Sequence, residues 1–255
     1  MKNTGYIPST YDGRDWEFDS SSKNRSREVL LHNPRPVINQ GRQVLCCTSA
    51  AITGAMEALD AKQGDFCHLS VLFHYYNARG GSYRMKGIEL RDALKAAVKP
   101  GVCRLKLHDK AMTRKGARKK PSRAAVANAK KQAIVAFDAR TFTYGYWRIK
   151  NSVRLRKCKE ALRDGAPIVA GFWMTSDYEK IRKGLADTLQ LAQPEPSGHA
   201  HAVALLGFSE KRKAFQVRDS FGERLGDKGY WWLPFEVLES DLFNELWVID
   251  KISYD

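Results

Sequence analysis

The hydrophobic pattern of the chain changes about halfway along its 255 residues. In the first half, three segments carry apolar side chains at helical spacing and end at Gly or Pro-Gly, which predicts helices at residues 46–62, 69–81 and 87–101. In the second half the apolar residues form short runs bounded by turn residues, which predicts strands. The strand segments are residues 133–138, 166–175, 199–221, 228–238 and 242–252, and one further helix is expected at 153–165.

Helices followed by mostly antiparallel strands are typical of an α+β fold. We expect a helical lobe at about residues 36–132 and a β-rich lobe at about residues 133–255, with a seam between them. Residues 1–35 are polar, which predicts a loop or mobile lead-in before this domain. The hydrophobic content of 43% excludes a disordered chain.

The net charge of +15 is concentrated in one segment. Residues 104–131 hold eleven Lys or Arg residues and a single acid, Asp109. This pattern predicts a solvated, partly flexible insertion, and it would attract a polyanion or an acidic protein. No aromatic residue lies among these charges, so a platform for stacking nucleic-acid bases is not supported.

The five cysteines are too few and too unevenly spaced for a secreted disulfide framework, which favours reduced thiols in a cytoplasmic protein. No CxxC pair or Cys/His cluster at zinc-finger spacing occurs, so neither a metal nor a cofactor is expected. No apolar run reaches the roughly 18 residues of a membrane span. The N-terminal segment lacks the apolar core of a signal peptide, although a specialised secretion route would leave no such mark.

Two adjacent cysteines, Cys46 and Cys47, stand at the start of the first predicted helix. A thiol in the first turn of a helix is close to the positive end of the helix dipole, which favours the thiolate. His201 begins an apolar strand and could exchange a proton with the thiol, while Asp219 follows a second strand and could orient the imidazole. Gln40 could donate its amide to an oxyanion. These residue types predict nucleophilic catalysis by cysteine.

Three motifs in this order resemble the papain-like cysteine peptidases of the C1 family, in particular their bacterial branch without a prodomain. The first is Asn-Gln-Gly with a cysteine six positions after Gln40, the second is "HAVALLGF" from His201, and the third is "DSFGERLGDKGYWWLP" from Asp219. The resemblance covers roughly residues 30–250. Each motif alone is weak, but the three together and in order are specific.

The resemblance implies a two-lobed papain-like fold with the active-site cleft between the lobes. It implies that Cys46 is the nucleophile, that His201 is the general base and acid, and that Asp219 orients the histidine. The oxyanion hole would consist of Gln40 and the backbone N–H of Cys46. Cys47 is expected to pack under the site or to act as a resolving thiol on oxidation. The expected reaction is hydrolysis of a peptide or isopeptide bond in a peptide or protein substrate, through an acyl-enzyme.

The chain departs from the family pattern in three places. Gln43 replaces an upstream cysteine, so the disulfide of secreted members cannot form. Asp219 replaces the family's asparagine, and Phe221 replaces the tryptophan that follows it. The residues before the cysteine pair are Val-Leu instead of the usual Gly-Ser, which suggests a reshaped loop.

Two other functions remain open at this stage. The same site could transfer an acyl group to an amine or deamidate a side chain, as a transglutaminase-like enzyme does. Alternatively, the chain could be a catalytically silent binding module that uses its basic segment. His199 shares a strand face with His201, but no third metal ligand is indicated, and we expect it to be a loop residue.

Overall fold

A computed structural model describes residues 5–20, 22–64, 66–135, 145–193 and 198–253. Within these ranges the helices are α1 (Cys47–Gln63), α2 (Val71–Ala78), α3 (Leu90–Val98), α4 (Arg114–Ala117), α5 (Arg123–Ala129), α6 (Arg154–Asp164), α7 (Ser176–Arg182) and α8 (Phe235–Glu239). The strands are β1 (Tyr6–Ile7), β2 (Glu28–Leu30), β3 (Ile88–Glu89), β4 (Ala133–Ile134), β5 (Tyr146–Arg148), β6 (Ile168–Trp173), β7 (Ala200–Ser209), β8 (Ala214–Arg218), β9 (Tyr230–Pro234), β10 (Phe243–Ile249) and β11 (Ile252–Ser253).

The main sheet is antiparallel and has the strand order β5-β10-β6-β7-β8-β9, and β2 also pairs with β7. Helices α1 to α5 precede nearly all of this sheet in the chain. The predicted α+β class and the predominance of antiparallel strands are therefore confirmed. No helix among the described residues is long and apolar enough to cross a membrane.

Strand β7 is buried along its whole length because both of its faces are covered. Ala202, Ala204 and Leu206 pack in one core cluster with side chains of α1. Val203 and Leu205, on the opposite face, pack in a second cluster within the β-rich lobe. This explains why the sequence of β7 is a continuous apolar run and not an alternating one. The strand is thus the structural link between the two lobes.

The basic segment differs from the flexible insertion that its charge predicts. Helices α4 and α5 are capped by Thr113 and Ser122, whose hydroxyl oxygens accept hydrogen bonds from backbone N–H groups at 3.1 Å. Ala125 and Ala129 pack against Phe73 in a small core cluster. The segment is therefore folded onto the helical lobe, because short apolar residues between its charges supply a buried face.

Residues expected as an N-terminal lead-in also contribute to the folded core. Tyr6 in β1 is fully buried, and its hydroxyl donates to Glu245 of β10 at 2.8 Å. Strand β2 pairs with the end of β7. These contacts could not be predicted from the polar composition of residues 1–35, because each of them depends on only a few side chains.

Two further expectations can be compared with the structure at the level of elements. The strand predicted at residues 228–238 ends at Pro234 and continues as helix α8, because proline has no N–H for the sheet and suits the start of a helix. Of the strand predicted at residues 133–138, only Ala133–Ile134 is a strand among the described residues, and positions 136–138 lie outside them.

Candidate active site

The two adjacent cysteines occupy different positions at the start of α1. Cys46 is the N-cap residue, and its carbonyl accepts the backbone N–H of Ala50 at 2.9 Å. Its side chain is fully buried in the core, and this burial raises the pKa of the Cys46 thiol well above the usual value. Cys47 is the first helical residue and lines a cleft, so it is Cys47 that combines the helix N-terminus with access to the cleft.

His201, the second residue of β7, lines the same cleft as Cys47 and lies near enough to its thiol for the cysteine to raise the pKa of the imidazole. The Nε2 atom of the imidazole lies 3.0 Å from Oδ1 of Asp219, which leaves Nδ1 for the sulfur. Phe221 stacks on the ring at a centroid distance of 5.1 Å, and Phe172 contacts it edge-on. The imidazole is 3% exposed, so these neighbours fix its plane.

Opposing effects determine the pKa of His201. Burial of the ring disfavours the imidazolium and lowers the pKa, whereas the charge of Asp219, the charge of Cys47 and their hydrogen bonds raise it. The charges outweigh burial, and the pKa of His201 is raised to about 10. The ring is therefore protonated at neutral pH when Cys47 is a thiolate.

Asp219 is fully enclosed and accepts four hydrogen bonds. Its Oδ1 accepts from the Ser220 backbone N–H at 2.7 Å in addition to His201, and its Oδ2 accepts from Tyr178 Oη at 3.0 Å and Trp231 Nε1 at 2.8 Å. Burial alone would raise the pKa of this carboxyl group, but the imidazolium and the hydrogen bonds lower it below the ordinary value. Asp219 is thus held as a carboxylate.

Gln40 is held next to Cys47 by the loop that follows Asp219. Its Oε1 accepts the hydroxyl of Ser220 at 2.8 Å, and its backbone N–H donates to the Ser220 carbonyl at 2.8 Å. The only protein acceptor recorded for the side-chain Nε2 within the described residues is the Val44 carbonyl, at a long 3.4 Å. The amide N–H₂ therefore retains a donor for a group bound in the cleft.

The cleft itself has a volume of about 440 Å³. It is lined by residues of the N-terminal segment, the loop before α1, helix α7 and the start of β7, together with the aromatic shield: Gly5, Gln40, Gly41, Arg42, Leu45, Cys47, Met174, Glu179, Arg182, His199, Ala200, His201 and Phe221. A thiol, an imidazole and an amide donor thus converge on one open space, which is an arrangement suited to acyl transfer.

Comparisons show that the chain is similar to known peptidases. No protein-family model matches it. A protein of Acanthamoeba polyphaga mimivirus, described as an uncharacterised peptidase C1-like protein, is 29% identical over 285 residues, which cover 99% of this chain and 88% of the viral protein. The solved structure of xylellain, a cysteine protease from Xylella fastidiosa, is 27% identical with a TM-score of 0.83, and the match covers 98% of this chain and 96% of xylellain.

The chain is similar in sequence and fold to papain-like C1 peptidases. These similarities support a cysteine protease, and the fold is the predicted two-lobed papain-like fold. The bromelain protease of Ananas comosus shares this fold at 17% identity, with a TM-score of 0.66 over 89% of this chain and 100% of the other.

The structure places the two cysteines differently with respect to the cleft. Cys46, predicted as the nucleophile from its position six residues after Gln40, is buried in the core and is not among the residues that line the cleft. Cys47, expected to pack under the site, is buried in the same core cluster at 1% exposed, but it lines the cleft together with His201. Helix α1 starts at Cys47, so the position six residues after Gln40 is the N-cap residue Cys46 and not the first helical residue. His201, Asp219 and Gln40 are brought together as expected.

Three residues of the site were missed by sequence reasoning. Trp231 is buried in the core of the β-rich lobe, and its indole N–H donates a hydrogen bond to Asp219. Tyr178 has no motif around it, and Gly5 lies in the stretch expected as a lead-in. A Cβ atom at Gly5 would come within 2.6 Å of the Cys47 sulfur, so the N-terminal segment crosses directly beside the thiol. No local signal in the sequence indicates these contacts.

The outer part of the papain-like cleft carries charge near its aromatic shield. The Arg182 guanidinium lies 4.9 Å above the Phe221 ring and pairs with Glu179 at 3.0 Å. Arg42 adds a second exposed cation. His199, expected to be a loop residue, precedes β7 and lines the cleft, and its Nε2 is buried without a hydrogen-bond partner among the described residues.

Proposed function

We propose that this protein hydrolyses peptide or isopeptide bonds with Cys47 as nucleophile, His201 as general base and acid, Asp219 as the orienting carboxylate and Gln40 as an oxyanion donor. The observation that carries the proposal is the hydrogen bond of His201 to Asp219 at the wall of an open cleft that Cys47 also lines. Cys47 is the first residue of α1 and lies near His201, which can exchange a proton with it during catalysis.

In the first half of the reaction, the Cys47 thiolate attacks the carbonyl carbon of the substrate and the carbonyl oxygen becomes an oxyanion. The Gln40 amide and the backbone N–H of Cys47 are the donors available to this oxygen. His201 then gives its proton to the leaving amine as the carbon–nitrogen bond breaks, which leaves a thioester on Cys47.

In the second half, His201 accepts a proton from a water molecule that attacks the thioester. The carbon–sulfur bond breaks, the acid product leaves, and the thiolate and imidazolium are restored. Asp219 stays ionised throughout, because its role is to hold the ring and stabilise its positive charge.

The proposal is tested by digesting a peptide library with the purified chain and identifying the products by mass spectrometry. We expect Cys47→Ala and His201→Ala to abolish cleavage, and Gln40→Ala to lower kcat by about 10²- to 10³-fold, the usual effect of losing one oxyanion donor. Cys46→Ala is the matched control and should retain cleavage. Cleavage that survives Cys47→Ala but not Cys46→Ala would refute the assignment.

Transfer of the acyl group to an amine, or deamidation, is the competing reaction of the same site. The two are distinguished by their products, because hydrolysis releases a new amino terminus whereas deamidation releases ammonia and transfer incorporates an added amine. We favour hydrolysis because the viral relative and xylellain, at 29% and 27% identity, are named as a peptidase-like protein and a cysteine protease. A silent binding module would give no product in any of these assays.

We further propose that the basic segment contacts an anionic partner, and that the protein works in the reducing cytoplasm that its unpaired cysteines suit. Nine of the eleven basic residues of the segment are exposed: Lys106, Lys110, Arg114, Lys115, Lys119, Lys120, Arg123, Lys130 and Lys131. The exposure of these charges on a folded segment supports salt-sensitive binding.

Heparin serves as the polyanion probe for this surface. We expect Lys119→Glu/Lys120→Glu to weaken heparin binding and to reduce its dependence on salt concentration. The control is Lys183→Glu/Lys211→Glu, which makes the same charge change at exposed positions of the other lobe. Equal loss of binding in both variants would show that only net charge matters and would remove the proposal.

A further inference from the structure

The environment of Asp219 contains only hydrogen-bond donors. One carboxylate oxygen accepts from His201 and the backbone N–H of Ser220, and the other accepts from the Tyr178 hydroxyl and the Trp231 indole. The Tyr178 and Trp231 side chains are fully buried, and the carboxylate is 0% exposed, so water cannot substitute for any partner. Both oxygens therefore have their acceptor capacity matched by protein donors.

An asparagine amide could not satisfy this environment in either orientation. With its oxygen toward His201, its N–H₂ group would face the Trp231 indole N–H, which can only donate. Turned over, its N–H₂ group would face the backbone N–H of Ser220, which likewise can only donate. The Tyr178 hydroxyl differs from both, because it can rotate and accept.

We propose that Trp231 and Tyr178 are positioning residues for Asp219, and that the Trp231 indole makes the site specific for a carboxylate at position 219. They act through Asp219, whose fixed oxygen in turn orients the His201 ring toward Cys47. This inference rests on the proposed function for its catalytic meaning. The Trp231 indole can only donate a hydrogen bond, so it accepts a carboxylate at position 219 as its partner but not the N–H₂ group of an asparagine. The Tyr178 hydroxyl can donate or accept, so it is compatible with either side chain.

As a consequence, the effects of substitutions at positions 219 and 231 on reactivity and stability should not be additive. In the wild-type background, Asp219→Asn places the asparagine N–H₂ group against the Trp231 indole N–H, so two buried donors face each other. In a Trp231→Phe background the indole donor is absent. A buried unsatisfied donor corresponds to about a 5- to 150-fold effect on an equilibrium or rate. Asp219→Asn should therefore be less damaging by about that factor in the Trp231→Phe background than in wild type.

The experiment measures two quantities for wild type, Asp219→Asn, Trp231→Phe and the double variant. They are the second-order rate constant of Cys47 alkylation by a papain-family epoxide inhibitor and the midpoint of thermal unfolding. The matched control is the same cycle with Tyr178→Phe, in which we expect no rescue of Asp219→Asn because the lost hydroxyl was able to accept. Rescue by Trp231→Phe alone supports the proposal, and equal damage in all three backgrounds overturns it.

The unfolding midpoints separate this inference from the proposed function. If Cys47 is not alkylated in wild type, the proposed function fails, whereas the coupling between positions 219 and 231 is still read from the unfolding midpoints. If Trp231→Phe does not fold, proton NMR of the six tryptophan indoles provides the second measurement. We expect one indole N–H signal to exchange slowly in wild type and to move in Asp219→Asn, and unchanged indole signals would overturn the proposal.

Discussion

Replacing Gly5 by alanine should disturb the thiol of Cys47 directly. A Cβ atom at position 5 would lie 2.6 Å from the Cys47 sulfur, about 0.8 Å short of ordinary contact. The backbone at Gly5 is anchored, because its carbonyl accepts the Ile88 N–H at 3.3 Å and the Thr48 hydroxyl at 3.2 Å. A cysteine side chain changes rotamer more easily than such a segment moves, so we expect the sulfur to yield and to lose its alignment with His201.

The magnitude of this effect follows from the displacement. A misplacement of about 1 Å in a reacting group costs up to about 10²-fold in rate, so alkylation of Cys47 should slow by roughly 10- to 100-fold in Gly5→Ala. The matched control is Gly13→Ala in the same N-terminal stretch, where a Cβ atom would meet nothing within 4 Å. The assay is the alkylation rate constant together with the unfolding midpoint. A Gly5→Ala variant that alkylates as fast as wild type would refute this reasoning.

Three other outcomes follow from the same contacts. The pKa of His201 is raised from 6.5 to about 10 by Asp219 and Cys47, against the effect of burial, so the contribution of His201 to the free energy of unfolding is complete below pH 6.5 and is lost as the pH rises through about 10. We therefore expect the free energies of unfolding of wild type and His201→Gln, measured by urea denaturation from pH 6 to 10, to converge as the pH rises. A constant difference between them would contradict this. Tyr6→Phe removes the hydroxyl bonded to Glu245 and should lower the free energy of unfolding by about 1–3 kcal/mol. Calorimetry should show this as a fall in the unfolding midpoint of about 2–4 °C per kcal/mol. An unchanged midpoint would mean that this bond contributes nothing. Gly116→Ala would place a Cβ atom 2.0 Å from the Ala111 carbonyl oxygen and should destabilise the basic segment by about 1–3 kcal/mol, detected as faster limited proteolysis there, whereas wild-type resistance would count against the tight packing.

Local signals in the sequence were sufficient for the regular elements near the site. Helix α1 was predicted from its apolar spacing and its terminal Gly64, which adopts the left-handed conformation expected of a helix C-cap. Strand β7 was predicted from an apolar run, and its burial on both faces explains that run. These signals depend on residues close together in the chain, and so they can be read without the tertiary structure.

The choice of nucleophile could not be made in this way. Cys46 and Cys47 both stand at the start of one helix, and only the position of His201, more than 150 residues later, distinguishes them. The motif spacing selects the residue six positions after Gln40, whereas the helix begins one position later, at Cys47. The periodic signals are the same for either cysteine, so they do not indicate which side chain lines the cleft.

The donors around Asp219 were also beyond sequence reasoning. Tyr178 and Trp231 come from α7 and β9, and their aromatic character indicated only that they would be buried. Whether a buried hydroxyl or indole finds a charged partner depends on the packing of two separate elements against the end of β8. The carboxylate at position 219, a departure from the family pattern, has its physical explanation in those two contacts.

The most direct test of the central claim is intact-mass spectrometry and peptide mapping after reaction with a papain-family epoxide inhibitor. We expect one adduct on the wild-type chain, located at Cys47, retained in Cys46→Ala and lost in both Cys47→Ala and His201→Ala. An adduct on Cys46, or equal labelling of Cys47 with and without His201, would contradict the assignment of an activated thiolate at Cys47.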